Sequence, residues 1–406
     1  MNILQVNSVC GIKSTGRIVS DLHAILLSQG HQSTVAFGRE VAKNCNQVIH
    51  IGNQFDNYLH VAKTRILDKH GFSSATATEN LINKITELDP DAIHLHNLHG
   101  YYLHIGMFFE YLKKVNKPVI WTLHDCWSFT GHCTYFDFVG CERWRTECHT
   151  CPLKTEYPKS FIDNSQWNYR AKKDLFLGVN NLTLVTPSKW LAGLVKQSFL
   201  QDYRLEVINN GIDLNVFKPT SSTFRINHKL EDKFIILGVA SIFSERKGYG
   251  YFIELSKQLK PDEKLVLVGL SEKQIKHLPA EVIGISKTNN TQELAEIYSA
   301  ADVFVNPTLE EVLGLVNIEA MACGTPVVTF NSGGSPECLD ADCGLVVDRG
   351  DLQGLVTAIA TVRKKGKPSY TEHCQMRVHD WFDKDVRFAE YIKLYTKSLS
   401  DLRKQT

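Results

Sequence analysis

Short apolar runs, separated by stretches long enough for a helix, recur along this chain in two series, and no other feature limits its fold as much. The first series is Asn2–Asn7, Thr34–Phe37, Ala92–Leu95, Val119–Leu123, Leu182–Val185 and Glu206–Ile208. The second is Phe234–Val239, Lys264–Val268, Val303–Asn306 and Pro326–Thr329. Runs this short suit strands buried on both faces of a parallel sheet. Ile18–Ser28, Gly250–Leu259, Thr291–Ala300 and Asn317–Ala322 read as helices between them. The alternation predicts an α/β chain of two doubly wound, Rossmann-like domains. The polar segment Asn215–Asp232, with Pro219 and Ser221-Ser222-Thr223, reads as the linker. Expected boundaries are 1–214 and 215–382, with a terminal helix from about 383 to 406.

Composition excludes several classes. The chain has 406 residues, with 45 basic and 44 acidic side chains. Such a balance argues against a nucleic-acid binder, which carries a basic face. Lys113-Lys114 with Lys117, Lys172-Lys173 and Arg363-Lys364-Lys365 are local basic spots. They read as solvated surface or as contacts for anionic lipid. The start Met-Asn-Ile-Leu-Gln-Val-Asn lacks the basic and apolar regions of a signal peptide. No apolar stretch reaches the roughly 18 residues of a membrane span. The expectation is a cytoplasmic protein, either soluble or peripheral on the inner face of the plasma membrane.

Residues 306–328 carry the densest chemistry. They read as a strand end, a Gly-containing loop, a helix and a new strand. Open α/β sheets bind ligands at the carboxyl ends of their strands. The amides of Leu313, Gly314 and Leu315 would lie near a helix N-terminus, which attracts phosphate. Glu311 falls in the loop and Glu319 about one turn into the helix. One carboxylate can accept hydrogen bonds from the hydroxyls of a transferred sugar, and the other from both ribose hydroxyls of a nucleotide.

Here the chain resembles glycosyltransferase family 4, of the GT-B fold. The family motif is a Glu, seven residues, a second Glu and then Ala-Met-Ala-x-Gly-x-Pro-Val-Val, matched here from Glu311 through Glu319 to Val328. The usual Gly-Phe after the first Glu is Val312-Leu313 in this chain. The resemblance covers nearly the whole length. It implies two Rossmann-like domains facing each other across a cleft, with the terminal helix crossing back to the first. It also implies that Arg246 and Lys247, in Ser244-Glu245-Arg246-Lys247-Gly248, hold the donor diphosphate. Many relatives place the Arg about five residues before the Lys, beside a Gly, a position that is not Arg here. Gly333-Gly334-Ser335-Pro336-Glu337 resembles the family's Gly-Gly-x-x-Glu loop, and its amides are expected to line the cleft.

In the first domain, alternation puts His94 and His96 on one face of a strand end. The resemblance implies that His96 faces the donor sugar, whereas His94 reads as structural and His99 as a weaker candidate. It assigns His124 and Asp125 to the acceptor or the sugar edge. The Gly11–Gly16 loop, with Gly16 and Arg17, could close over a phosphate of donor or acceptor. Pro187-Ser188 and Asn210–Asp213 match the family's path out of the first domain.

Five of the eleven cysteines fall in 124–152, with His132 and His149. Cys148-x-x-Cys151 is a metal clip that Cys133 and Cys141 could complete as a structural zinc site. Reduced thiols and a redox role are the other readings. His124-Asp-Cys-Trp-Ser-Phe-Thr-Gly-His-Cys133, Cys141-Glu-Arg-Trp144 and Cys148-His-Thr-Cys-Pro152 closely resemble members from bacterial surface-polysaccharide clusters of the colanic-acid or O-antigen type.

The resemblance implies a retaining hexosyltransferase. It would use a nucleotide-diphosphate sugar (a UDP- or GDP-sugar), no catalytic metal, and an undecaprenyl-linked oligosaccharide acceptor in exopolysaccharide or lipopolysaccharide synthesis. The rival readings are a non-catalytic nucleotide-sugar-binding protein and a GT-B epimerase or phosphorylase-like enzyme. The latter would need a pyridoxal-bearing lysine motif.

Overall fold

Strands β1 (Asn2–Asn7), β2 (Gln32–Phe37), β3 (Val48–His50), β4 (Ala92–Leu95), β5 (Val119–Thr122), β6 (Leu182–Thr186) and β7 (Arg204–Val207) form one sheet. Strands β8 (Phe234–Val239), β9 (Glu263–Val268), β10 (Val282–Ile285), β11 (Val303–Asn306), β12 (Val327–Phe330) and β13 (Gly344–Val347) form another. The structure, a computed structural model, describes residues 1–405. Strand order is β3-β2-β1-β4-β5-β6-β7 in the first sheet and β10-β9-β8-β11-β12-β13 in the second. Every pairing is parallel. Each order reverses direction once, between β1 and β4 and between β8 and β11. Those reversals are the switch points at which such sheets bind ligands.

The central strands β4, β5, β6, β11 and β12 are buried at every position, which is why they appear as unbroken apolar runs. The edge strands β3, β10 and β13 are only partly buried.

The chain divides into a first unit, Met1–Ile208 with Phe388–Thr406, and a second, Asn209–Arg387. The expected linker is not a free connection. Ile212 bridges to Asp383, and Lys384 pairs with Asp213 at 2.6 Å, so this stretch belongs to the second unit. Further on, Arg225 donates to the carbonyls of Ala300, Leu230 and Lys233 and pairs with Asp302 at 2.7 Å. Phe217 and Leu230 are buried in the second core. The polar composition of 215–232 hides these anchors.

Helix Lys384–Gln405 closes the first unit's core. Phe388, Tyr391, Ile392 and Tyr395 pack with Ile3, Ile18, Leu22 and Ile120. The helix after β1 runs Lys13–Ser28 and starts earlier than its apolar periodicity suggests, so Gly16 lies in its first turn rather than in a loop. Gly11 makes the preceding turn at φ +70°, where a Cβ would sit 1.8 Å from the Lys43 carbonyl oxygen.

Candidate active site

In the second unit, the loops that follow β8 and β11 interlock. Residues 244–248 form a tight turn, with Lys247 N–H on the Ser244 carbonyl at 3.0 Å and Gly248 N–H on that of Glu245 at 2.9 Å. Gly248 has φ +74°, and a Cβ there would meet the Pro307 carbonyl oxygen at 2.1 Å. Only glycine lets the basic turn lie this close. Leu309 N–H donates to the Arg246 carbonyl at 2.8 Å, and Arg246 Nη1 donates to the Glu310 carbonyl at 3.0 Å. Lys247 Nζ bonds Glu311 Oε2. The two side chains are 20% and 14% exposed, so the pair is screened only in part. Burial opposes ionisation of Glu311, but the Lys247 ammonium, with Arg246 and the Val312 N–H, outweighs it and holds the carboxyl below its ordinary value.

The loop after β12 fixes the backbone of Glu311. Gly334 N–H donates to the Glu311 carbonyl at 2.8 Å. Gly333, at φ +60°, would set a Cβ 1.9 Å from that same oxygen. The Gly334 amide of this turn therefore anchors Glu311. Beneath lies a buried polar network that sequence reasoning missed. Asn306 Nδ2 donates to Asn317 Oδ1 at 2.8 Å, Asn317 Nδ2 to Ser335 Oγ at 2.8 Å, and Ser335 and Thr329 share a bond of 2.7 Å. Asn317, an amide in an otherwise apolar helix turn, was the available signal.

Helix Leu315–Ala322 begins at Gly314, φ +92°, with no side-chain cap. Helix Tyr249–Ser256, after β8, is likewise uncapped, whereas Ser271, Asn290 and Asp351 cap other helices of this unit. The first N–H groups of any α-helix lack intrahelical acceptors. Those around Leu313, Gly314 and Leu315 are therefore suited to an anion beside Lys247. Glu319 lies buried in this helix, with Tyr298 hydroxyl donating to its Oε2 at 3.1 Å.

In the first unit, the ends of β4 and β5 bring histidines together. His94 is a brace: one ring nitrogen meets Tyr395 hydroxyl at 2.6 Å and the other Thr122 hydroxyl at 2.8 Å. His96 Nδ1 faces His124 Nε2 at 3.0 Å, with the rings stacked. Desolvation keeps both imidazoles neutral: His96 lies well below its ordinary pKa and His124 is lowered to about 4. The buried Nε2 of His96 has no hydrogen-bond partner among the described residues. Asp125 is already engaged, with Oδ2 on His99 Nε2 at 2.7 Å and Oδ1 accepting from Trp127 N–H at 2.9 Å. Burial raises its pKa, but His99 and these bonds override that, so it stays ionised. Asp125 braces the histidine cluster, and His99 continues to Tyr157 hydroxyl at 3.0 Å.

Residues 15–216 match the model described as Glycosyltransferase Family 4, and residues 233–365 that of Glycosyl transferases group 1. The chain belongs to glycosyltransferase family 4. The putative colanic acid biosynthesis glycosyl transferase WcaC of Escherichia coli K12 is 26% identical over 88% of this chain and 89% of its own. Two solved structures share the fold at 18% identity, each over 99% of this chain and 100% of the other. Sucrose-phosphate synthase from Thermosynechococcus elongatus has a TM-score of 0.73, and HepE of Anabaena, in complex with UDP-glucose, one of 0.68. The fold is GT-B, and the protein is a glycosyltransferase related to the colanic acid enzyme.

The cysteine segment of this glycosyltransferase is tied down by two buried ionisable side chains, Lys172 and Asp68, that sequence reasoning misplaced or missed. Lys172 read as a surface cation, yet it is buried, its ammonium donating to the carbonyls of Trp127 at 2.8 Å and Thr130 at 3.1 Å. Desolvation lowers its pKa to about 7. Asp68 pairs with His132 at 2.5 Å, both side chains fully buried. Cys133, Cys141, Cys148 and Cys151 line one small cavity with Trp144 and Phe136. Cys148 Sγ accepts Gly131 N–H at 3.2 Å, and Cys151 Sγ accepts Leu153 N–H. Among the described residues, no three His, Cys, Asp or Glu side chains stand in a metal-binding arrangement.

Proposed function

We propose that this glycosyltransferase moves a hexosyl residue, with retention, from a UDP- or GDP-sugar to a hydroxyl of an undecaprenyl-linked oligosaccharide in surface-polysaccharide synthesis. The carrying observation is the Lys247–Glu311 pair beside the uncapped helix Leu315–Ala322, at the switch point of the second sheet. Cations and helix amides suit a diphosphate, and a carboxylate held ionised suits sugar hydroxyls. The UDP-glucose bound to HepE and the relationship to WcaC support a nucleotide-sugar donor and a polysaccharide setting.

In this reading the bond from the anomeric carbon to the diphosphate oxygen breaks while the acceptor oxygen bonds the same face. The acceptor proton passes to the departing phosphate. Arg246, Lys247 and the Leu313–Leu315 amides stabilise the developing charge without a metal ion. Glu311 orients the sugar and Glu319 the ribose. His96, through its unpartnered Nε2, is proposed to bond a sugar hydroxyl, and His124 sets its tautomer. Gly16 lets the first turn of its helix pack against Val9 and Gly11, and the Gly11–Gly16 segment is proposed to close over a phosphate.

Glu311→Ala is expected to lower transfer by roughly 10²-fold or more, as loss of a preorganised group does. A thermal-shift series with UDP, GDP and their sugars identifies the base. An unchanged transfer rate sinks the role of Glu311. A donor-induced shift with no transfer in the unsubstituted protein favours the non-catalytic binding reading.

The cysteine cavity is proposed to hold a structural zinc on Cys133, Cys141, Cys148 and Cys151. Its thiol set and the N–H bonds to two of the sulfurs suit a thiolate site. Side-chain rotation must complete the coordination. Elemental analysis should find about one zinc per chain, the stoichiometry of a four-ligand site; a content far below that leaves reduced thiols.

A further inference from the structure

The helix Gln54–Leu67 is inside out. Its buried positions are the polar Asn57, His60 and Thr64. Its outer face carries Phe55 at 73%, Tyr58 at 71% and Ile66 at 60% exposure, with Leu59 and Leu67 beside them. The orientation is locked from within. Asn57 Nδ2 donates to the Gly38 carbonyl at 3.0 Å, and His60 bonds Ser74 hydroxyl at 2.9 Å and accepts Gly71 N–H at 3.1 Å. A capping box of Asn53 and Asp56 fixes the first turn. Rotating the helix to hide its apolar side would break the three bonds of Asn57 and His60.

The apolar surface continues past the helix. Phe161 N–H and Ser160 hydroxyl both donate to the Arg65 carbonyl, at 2.8 and 3.1 Å, and hold Phe161 and Ile162 exposed against the helix end. Exposed patches of this kind mark interaction sites. The charges around it are mainly positive. Lys63 lies on the exposed face, Lys159 is exposed, and Lys69 sits 4.4 Å from the Trp167 ring. The nearby acids are mostly engaged: Asp56 on Asn53 N–H, Asp68 on His132, and Asp163 on the N–H groups of Cys151 and Ser165. Glu156 and Asp163 are the exposed acids of the 154–163 loop. Among the basic spots singled out in the sequence, Lys113, Lys117 and Arg363 pair with Glu110, Asp89 and Asp262, and Lys172 is buried.

We propose that this face is a membrane-surface docking site, with Phe55, Tyr58, Ile66 and Phe161 among acyl chains and Lys63, Lys69 and Lys159 among anionic headgroups. Lipid headgroups supply the countercharge that a second copy, meeting this face by two-fold symmetry, would not. No described helix is long and apolar enough to cross a membrane, so the contact lies on the surface. The proposal depends on the lipid-linked acceptor for its purpose, not for its physics.

The test is cosedimentation of the full chain with vesicles of phosphatidylcholine containing phosphatidylglycerol, and of phosphatidylcholine alone. Binding is expected to favour the anionic vesicles. The triple variant Phe55→Ser, Tyr58→Ser, Ile66→Ser should weaken it by roughly ten-fold or more, because it removes inserted apolar groups. Its melt and its donor-induced thermal shift should be kept. Lys63→Glu with Lys159→Glu should erase the anionic preference. Equal binding by the triple variant, or no binding by the unsubstituted chain, overturns the proposal. So does a concentration-dependent dimer that the triple variant dissolves. Transfer to a soluble acceptor analogue, measured without vesicles, reads the glycosyltransferase proposal separately.

Discussion

At the residue scale, the chemistry of the site is set by which charges are neutralised and by what. Glu311 stays ionised although desolvated because Lys247 answers it. His124 stays neutral because burial, reinforced by His99, exceeds the pull of Asp125. Its imidazole should titrate near 4 in an NMR pH series, and a midpoint near 6.5 would refute the placement of its ring. The pKa is depressed in the folded state, so the unfolded chain takes up the proton first. Stability tied to His124 is therefore full above about 6.5 and is lost as pH falls toward about 4. His60, lowered to about 3 by burial, adds to the same loss.

At the element scale, three loops and two helix ends hold one another. The turn at 333–334 supports the carbonyl of Glu311, and the turn at 246–248 supports the strand end at 307–310. Gly333→Ala puts a methyl group where the Glu311 carbonyl lies, in a left-handed conformation. It is expected to cost about 1–3 kcal/mol of stability, the scale of such backbone strain. Transfer should fall further than stability, because Glu311 itself is displaced. Denaturant melts beside kcat measurements check this, and a fully active Gly333→Ala chain would show that the turn does not position Glu311. The Glu311–Glu319 pattern was legible because short-range spacing sets a loop and a helix turn. The Asn306–Asn317–Ser335–Thr329 network was not, because its members lie on separate segments that only the folded sheet brings together.

At the scale of the whole molecule, the first unit is completed by the end of the chain. His94 and Tyr395 are 301 residues apart in sequence and 2.6 Å apart in the fold. Tyr395 is fully buried among Ile3, Leu22 and Ile120. Tyr395→Ala should therefore remove about 3–5 kcal/mol, as truncation of a buried aromatic does. It should lower only the calorimetric transition of the first unit. A uniform shift of both transitions, or none, would contradict the division at 208 and 387.

The sequence by itself determined the class of fold, the central strands, the places of Glu311, Glu319, Arg246 and Lys247 in the loops and helix of the second unit, and the kinship with family 4. Each follows from local pattern: an apolar run, a glycine turn or a spacing within one loop and helix. Tertiary structure decided the rest. It buried Lys172 and withdrew it from the surface, and it folded the polar stretch 215–232 onto the second unit instead of leaving it a linker. It committed Asp125 to His99, and it turned the apolar side of Gln54–Leu67 outward. The physical reason is common to all four. Whether a charge is paired, or an apolar face covered, depends on partners distant in the chain, and local pattern does not encode their positions.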